Sequence, residues 1–317
     1  MAIFGSGEYT YEDDLNWAKL PAGWSFREVV DVMVDAQDRV YVFNRGEHPV
    51  IVLERDGTFV TSWGEGLFTR PHALTIVPDE QYGQAVYAVD DDGNWIGRFT
   101  LDGELLSQIG ERGEGSPRLS GKPFNRPTKL ARDPKSGALY ISDGYGNARV
   151  HKYTPDGEHI LSWGDFGVEP GQFYLPHSVC TDAEGKVYVA DRENHRVQVF
   201  DSEGNYLSQW NNLFRPCGLY IAGDRAYIGQ LCNQNALTAD FPNLGACVTI
   251  HDLTGKQLAR LGGTRAGEGE GEFTTPHGVV ADSHGDLYVG EVSWTAYGRM
   301  LNPPRLVPCF RKLVRKR

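Results

Sequence analysis

Three histidines stand in the same short phrase: Arg70-Pro71-His72-Ala73-Leu74, Leu175-Pro176-His177-Ser178-Val179 and Thr275-Pro276-His277-Gly278-Val279. They are 105 and 100 residues apart. A neutral imidazole is a good ligand for zinc, and catalytic zinc centres commonly use three protein ligands with one position left open. Three imidazoles brought to one point would supply such a set. The slot recurs between them as Pro127-Thr128 and Pro216-Cys217. Histidine therefore fills alternate copies of a repeated position. A single histidine at a strand start is ordinarily a turn residue. Three copies, alternate and each behind a proline, shift the balance to a metal site bound by His72, His177 and His277.

The repeat sets the fold. Each copy reads Pro-His-x-apolar, an Asp-x-x-Gly turn, Val-Tyr-Val-x-Asp, a polar turn, Arg-Val-x-x-Phe, an Asp-Gly turn and a last strand ending near Trp-Gly. Four short β-rich runs joined by Gly/Asn/Asp turns make an antiparallel meander. Such a meander cannot bury both faces alone, but stacked copies can. Six copies occur near 26–63, 71–110, 127–164, 176–211, 216–262 and 276–313. The predicted fold is all-β: a single six-bladed β-propeller of four-stranded antiparallel blades over 1–317. Alternation around six blades would turn one sequence position into a three-fold cluster. In each blade the histidine slot opens the first strand, and the turn between the second and third strands lies on the same face.

Those turns carry the other reactive side chains. Arg45, Tyr145 and Arg192 occupy equivalent turns of the first, third and fourth copies. An arginine can hold a carboxylate through two parallel hydrogen bonds. A metal and cations beside a phenol would favour phenolate and make Tyr145 a base, below the usual pKa of ~10. Asp91, Asp92, Asp143 and Asp191 sit in corresponding turns and are expected to cap turns and fix loops. His48, His195 and Trp294 lie on the same face as candidate substrate contacts. Cys217 fills the fifth slot, either as a small inner-ring residue touching substrate or as a further ligand. The segment 231–246, with Trp294 and Tyr297, is expected to set substrate choice. His151, His159, His251 and His284 fall elsewhere in the repeat and are expected at the surface.

Composition narrows the function classes. Net charge is −11, which disfavours nucleic acid as a partner. The basic end, Arg311 to Arg317, is expected to be a final strand with a solvated tail. No run approaches the ~18 apolar residues of a membrane span. Five cysteines at irregular spacing argue against a disulfide framework and suit a reducing cytoplasm. No basic-then-apolar signal segment opens the chain.

Several strings together resemble the peptidyl-α-hydroxyglycine α-amidating lyase family, a group related to NHL-repeat proteins. They are Val-Phe-Asn-Arg-Gly-Glu-His (42–48), Pro-His-Ala-Leu (71–74), Ser-Asp-Gly-Tyr-Gly-Asn-Ala-Arg-Val (142–150), Leu-Pro-His-Ser (175–178), Ala-Asp-Arg-Glu-Asn-His-Arg-Val-Gln-Val-Phe (190–200) and Pro-His-Gly-Val (276–279). The resemblance implies zinc, or a similar divalent metal, on His72, His177 and His277. It implies Arg45 and Tyr145 as a catalytic pair and Arg192 as a further catalytic or substrate-binding cation. Three family features are changed. Gly278 stands where the family has an aspartate of a calcium site, so calcium is not expected to be needed. Thr275 stands where it has methionine, and Gly146 where secreted members have a disulfide cysteine. With no monooxygenase domain in view, the resemblance points to a free-standing microbial relative in the cytoplasm.

The implied reaction cleaves the C–N bond of an N-acyl-α-hydroxyglycine-like carbinolamide to an amide and glyoxylate, or acts similarly on a small hydroxy acid. Two other classes stay open on the sequence. A zinc-dependent hydrolase of amides, esters or lactones would use the same three histidines. A non-catalytic NHL-type scaffold would not need them. The expected partner is a small-molecule substrate, with neither nucleic acid nor membrane involved.

Overall fold

The computed structural model describes residues 3–235, 237–239, 241–269 and 271–316. The fold is a six-bladed β-propeller of antiparallel blades, five of them four-stranded and the sixth extended by one strand. The fourth blade shows the plan, in the order Pro176–Thr181, Val187–Asp191, Arg196–Phe200 and Tyr206–Trp210. Its second and third strands are buried throughout, and their polar members Arg196 and Gln198 are satisfied by the Asp191 carboxylate. Its last strand is exposed for its first three residues, Tyr206, Leu207 and Ser208.

The chain divides into two compact units. In residues 66–224, Pro71–Asp79, Lys129–Arg132, Pro176–Thr181 and Pro216–Ala222 succeed one another side by side. Each is the first strand of its sheet. Side chains tie neighbours together: Thr75 donates to the Leu130 carbonyl, and Thr128 to that of Pro176. In residues 1–65 and 225–317, Arg225–Gln230 lies beside Pro276–Ala281, which lies beside Val29–Val34.

The sixth sheet departs from the expected 276–313 meander. Its order is Ile3–Ser6, Tyr9–Asp14, Phe310–Arg315, Leu287–Glu291 and Pro276–Ala281. It has five strands, and the N-terminal pair supplies the outer two. Tyr9–Asp14 alternates buried and half-buried residues, so it offers one face to the sheet. The basic end is a strand, as expected, but its first cations are not solvated. Arg311 is 3% exposed and pairs with Asp13 at 2.8 Å and Glu291 at 3.1 Å, and Lys312 pairs with Asp286 at 3.1 Å. Among the described residues no helix is long and apolar enough to cross a membrane.

Candidate metal and catalytic centre

Each histidine slot is a β-bulge. Pairing with the second strand steps from Pro71 to Ala73, from Pro176 to Ser178 and from Pro276 to Gly278. His72, His177 and His277 are the skipped residues. A bulge adds one unpaired residue and re-aims its side chain. The proline before it lacks an N–H, so no ladder bond is lost there.

The bulge is clamped from behind by the last residue of the second strand. Asp90 accepts the N–H groups of Thr69 and Arg70 at 2.6 and 2.7 Å. Asp191 does the same for Tyr174 and Leu175 at 2.9 and 3.1 Å, and Glu291 for Thr274 and Thr275 at 2.7 and 3.0 Å. Asn44 and Asp143 hold the equivalent loops of the first and third blades. Asp143 and Asp191 thus fix loops as expected. Asp90 does this in the second blade, where the sequence drew attention to Asp91 instead.

The imidazoles share one hydrogen-bond plan. Nδ1 of His72 lies 2.6 Å from the Thr128 carbonyl, Nδ1 of His177 3.1 Å from that of Cys217, and Nδ1 of His277 2.5 Å from that of Val30. Each partner is the slot residue of the following blade. A carbonyl only accepts, so Nδ1 must carry the hydrogen, and a neutral ring then presents its lone pair at Nε2. Metal-binding histidines are oriented in this way by a carbonyl on the second nitrogen. All three rings are buried.

Tyr145 meets two of these lone pairs. Its hydroxyl lies 3.0 Å from His72 Nε2 and 3.1 Å from His177 Nε2. The two imidazole centroids are 4.9 Å apart. His72, His177 and His277 each offer one ring nitrogen, and these atoms lie within 4.8 Å of one another. The residues therefore fit a divalent metal. Glycine on both sides lets the tyrosine turn approach. A Cβ at Gly144 would lie 2.2 Å from the Pro176 carbonyl oxygen, and one at Gly146 1.7 Å from Asn125 Oδ1.

Three guanidinium groups surround the phenol ring. Cζ of Arg126, Arg192 and Arg70 lies 4.8, 5.6 and 5.8 Å from its centroid, all within cation–π range. Arg192 was expected; Arg70 and Arg126 were missed because they precede the slot and do not belong to the turns. Arg192 bonds Glu193 at 2.8 Å, and Arg215 bonds the same carboxylate at 2.9 Å. Burial pushes the Glu193 carboxyl up, but the Arg215 hydrogen bond and the Arg192 and Arg215 charges outweigh it and bring it down to about 2.

The remaining sites divide. Arg45 is 3.0 Å from Glu28, whose carboxylate also accepts from the Thr295 backbone and hydroxyl. Trp294 is half-buried on a short helix, Ser293–Ala296, where a simple turn was expected. Cys217 is fully buried, with Sγ 3.3 Å from His177 Nδ1, and burial pushes its thiol up to about 12. A protonated thiol thus packs against the His177 ring. His48 stacks on Trp24 at 3.3 Å between centroids and bonds Glu65 at 3.1 Å. His195 is exposed, accepts the Arg215 N–H at 3.1 Å and packs on Phe214. Both rings are thus engaged in loop packing. Of the four other histidines, His159 and His284 are exposed, but His151 and His251 are buried. His151 joins Asp143 to Ser162 at 3.1 and 2.7 Å, a polar pairing that permits burial. Ala236 and Asp240, in the 231–246 segment, lie outside the described residues, as do Met1 and Arg317.

An NHL repeat matches residues 173–200. The human NHL repeat-containing protein 3 is 33% identical over 318 residues, covering 95% of this chain and 86% of that protein. The chain belongs to the family of NHL repeat-containing protein 3. Peptidyl-α-hydroxyglycine α-amidating lyases are among its homologues. The Drosophila melanogaster lyase 1 is 30% identical over 273 residues, covering 78% of this chain, while the chain spans 47% of that protein. A streptogramin B lyase structure matches at a TM-score of 0.58, with 12% identity over 98% of this chain and 97% of that one; this likeness is one of fold.

Proposed function

We propose that the protein is a metal-dependent lyase that cleaves N-acyl-α-hydroxyglycine-like carbinolamides to an amide and glyoxylate. The observation that carries this is the Tyr145 hydroxyl between Nε2 of His72 and His177, with Arg192 against its ring. His72, His177 and His277 would hold one divalent ion, zinc or a similar metal, through Nε2, since Nδ1 of each faces a carbonyl. When bound, that ion supplies Lewis-acid charge to a substrate oxygen.

The chain's own groups do the rest. Cations around a phenol favour its ionised form. Tyr145 in that form takes the proton of the substrate's α-hydroxyl at its Oη. The C–O bond becomes a carbonyl as the C–N bond breaks, and the electron pair leaves with the amide nitrogen. The same proton, carried by Tyr145, goes to that nitrogen, so atoms and charge balance without water. Arg192 and Arg45 hold the carboxylate and favour charge at the departing nitrogen. The deciding experiment mixes purified, metal-loaded protein with an N-acyl-α-hydroxyglycine and measures glyoxylate and amide together. Equal yields above the uncatalysed rate support the lyase. Turnover of simple amides, esters or lactones without glyoxylate would replace it by a hydrolase. No turnover of either kind would leave a binding scaffold.

A further inference from the structure

We propose that Ser162, on the outer strand of the third blade, is an activated nucleophile that takes the acyl group of an activated carboxylic ester. It stands in a relay with Asp143, His151 and His159, none of them a slot residue. His151 Nε2 lies 3.1 Å from Asp143 Oδ2, and its Nδ1 lies 2.7 Å from Ser162 Oγ. His159 Nε2 lies 2.8 Å from the same Oγ. Strand pairing explains how the four meet. Asp143 ends Leu139–Asp143, His151 lies on Arg149–Tyr153, and Ser162 faces it from His159–Trp163. The ladder skips Ile160, so His159 pairs with Tyr153 and returns to the face that carries Ser162.

Donor and acceptor capacity fixes the direction of the relay. A carboxylate only accepts, and Asp143 Oδ2 also takes the Asn147 amide and the Asn125 backbone N–H, each at 2.9 Å. His151 Nε2 therefore carries a hydrogen, and the neutral ring presents a bare Nδ1 to Ser162. Ser162 donates its single hydrogen to that nitrogen, and its Oγ accepts from His159. This is the order of a nucleophile, its base and the carboxylate that holds the base. Asp143 and His151 have no exposure, Ser162 is half-buried and His159 is exposed, so the bonds run from the interior to the blade surface. The fourth blade shows that packing alone asks for less. There Gln198, opposite Gln209, takes the place of His151 and bonds Asp191 at 3.3 Å.

The step balances without any further reactant. Ser162 Oγ adds to the ester carbonyl as its proton passes to His151 Nδ1. The C–O bond to the leaving aryloxide then breaks, and the same proton goes to the aryloxide, giving an acyl-serine and a phenol. No slot histidine takes part, so the outcome is independent of glyoxylate release. The test mixes the full chain with p-nitrophenyl acetate, follows nitrophenol, and maps the acetyl group by mass spectrometry after acid quenching. Wild type is expected to carry acetyl on Ser162 and to release nitrophenol in step with it. His151→Gln keeps an amide that can bond Asp143, as Gln198 bonds Asp191, but cannot take the proton. It should slow acetylation of Ser162 by about 10²–10⁴, the span for losing a base. Wild type unfolded in guanidinium gives a second comparison should H151Q fail to fold, and Ser162 there should react about a hundredfold more slowly or worse. Nitrophenol release without acetyl on Ser162 overturns the proposal, as does a folded wild type left unmodified. So does acetylation of Ser162 at an undiminished rate in folded H151Q or in the unfolded chain.

Discussion

Replacing Asp191 by asparagine should loosen the His177 bulge and destabilise the whole blade. Its carboxylate has no exposure and collects five donors: the Tyr174 and Leu175 backbone, Asn194 at 2.8 Å, Arg196 at 3.0 Å and Gln198 at 3.3 Å. Asparagine keeps one oxygen for the backbone pair, but its amide then faces three donors. Arg196, 7% exposed in its side chain, loses its charged partner and retains the carbonyls of Glu169 and Gln172. Breaking one side of a buried pair costs about 3–5 kcal/mol. The two surviving carbonyl bonds place the expected loss at the lower end, about 3 kcal/mol. For cooperative unfolding of a chain this long, that corresponds to a fall in Tm of roughly 5 °C. Denaturant unfolding of D191N, R196M and the double variant gives the coupling directly. A coupling of about 2 kcal/mol or more is expected. D191N within about 0.5 kcal/mol of wild type, the scatter of ordinary surface substitutions, would refute the clamp.

Three further outcomes follow from the same geometry. Tyr145→Phe should lower kcat by about 10²–10⁴, the span for losing an acid–base group, with metal content unchanged; an unimpaired enzyme removes tyrosine from the reaction. Glu193, held down to about 2 in the folded protein, stabilises it fully above the unfolded value near 4.5, and that contribution fades as pH falls through about 2. Wild type should therefore exceed E193Q by on the order of 2–3 kcal/mol at pH 7 and by much less at pH 2.5, and a gap independent of pH contradicts the Arg192–Glu193–Arg215 bridge. A Cβ at Gly278 would lie 2.6 Å from Asp31 Cα and 3.1 Å from the Val32 nitrogen. Gly278→Asp should thus cost about 1–3 kcal/mol whether or not calcium is added, and calcium-dependent recovery in unfolding curves would show otherwise.

The repeat, the first five blades to within a few residues and the three slot histidines were legible because each is a local pattern written several times. What the slot does was not. A bulge is a relation between two strands, and the Nδ1 partners Thr128, Cys217 and Val30 lie on the next blade, 56, 40 and 247 residues from their histidines. Arg70 and Arg126 escaped notice because a lone arginine before a proline reads as a solvated loop residue. The sixth sheet escaped because Tyr9–Asp14 pairs with Phe310–Arg315 from the far end of the chain. The alternation of Tyr9, Tyr11 and Asp13 was a usable sign of a strand. Burial of His151 and His251 depends on partners such as Asp143 that sequence spacing does not reveal.

The account stands most directly on metal content. Purified protein, equilibrated with zinc and freed of excess by dialysis, is expected to retain about one ion per chain by elemental analysis. His177→Ala should retain almost none while its circular dichroism and cooperative unfolding remain those of a folded propeller. Full occupancy in that variant, or none in the wild type, would contradict the tri-histidine centre on which the proposed chemistry depends.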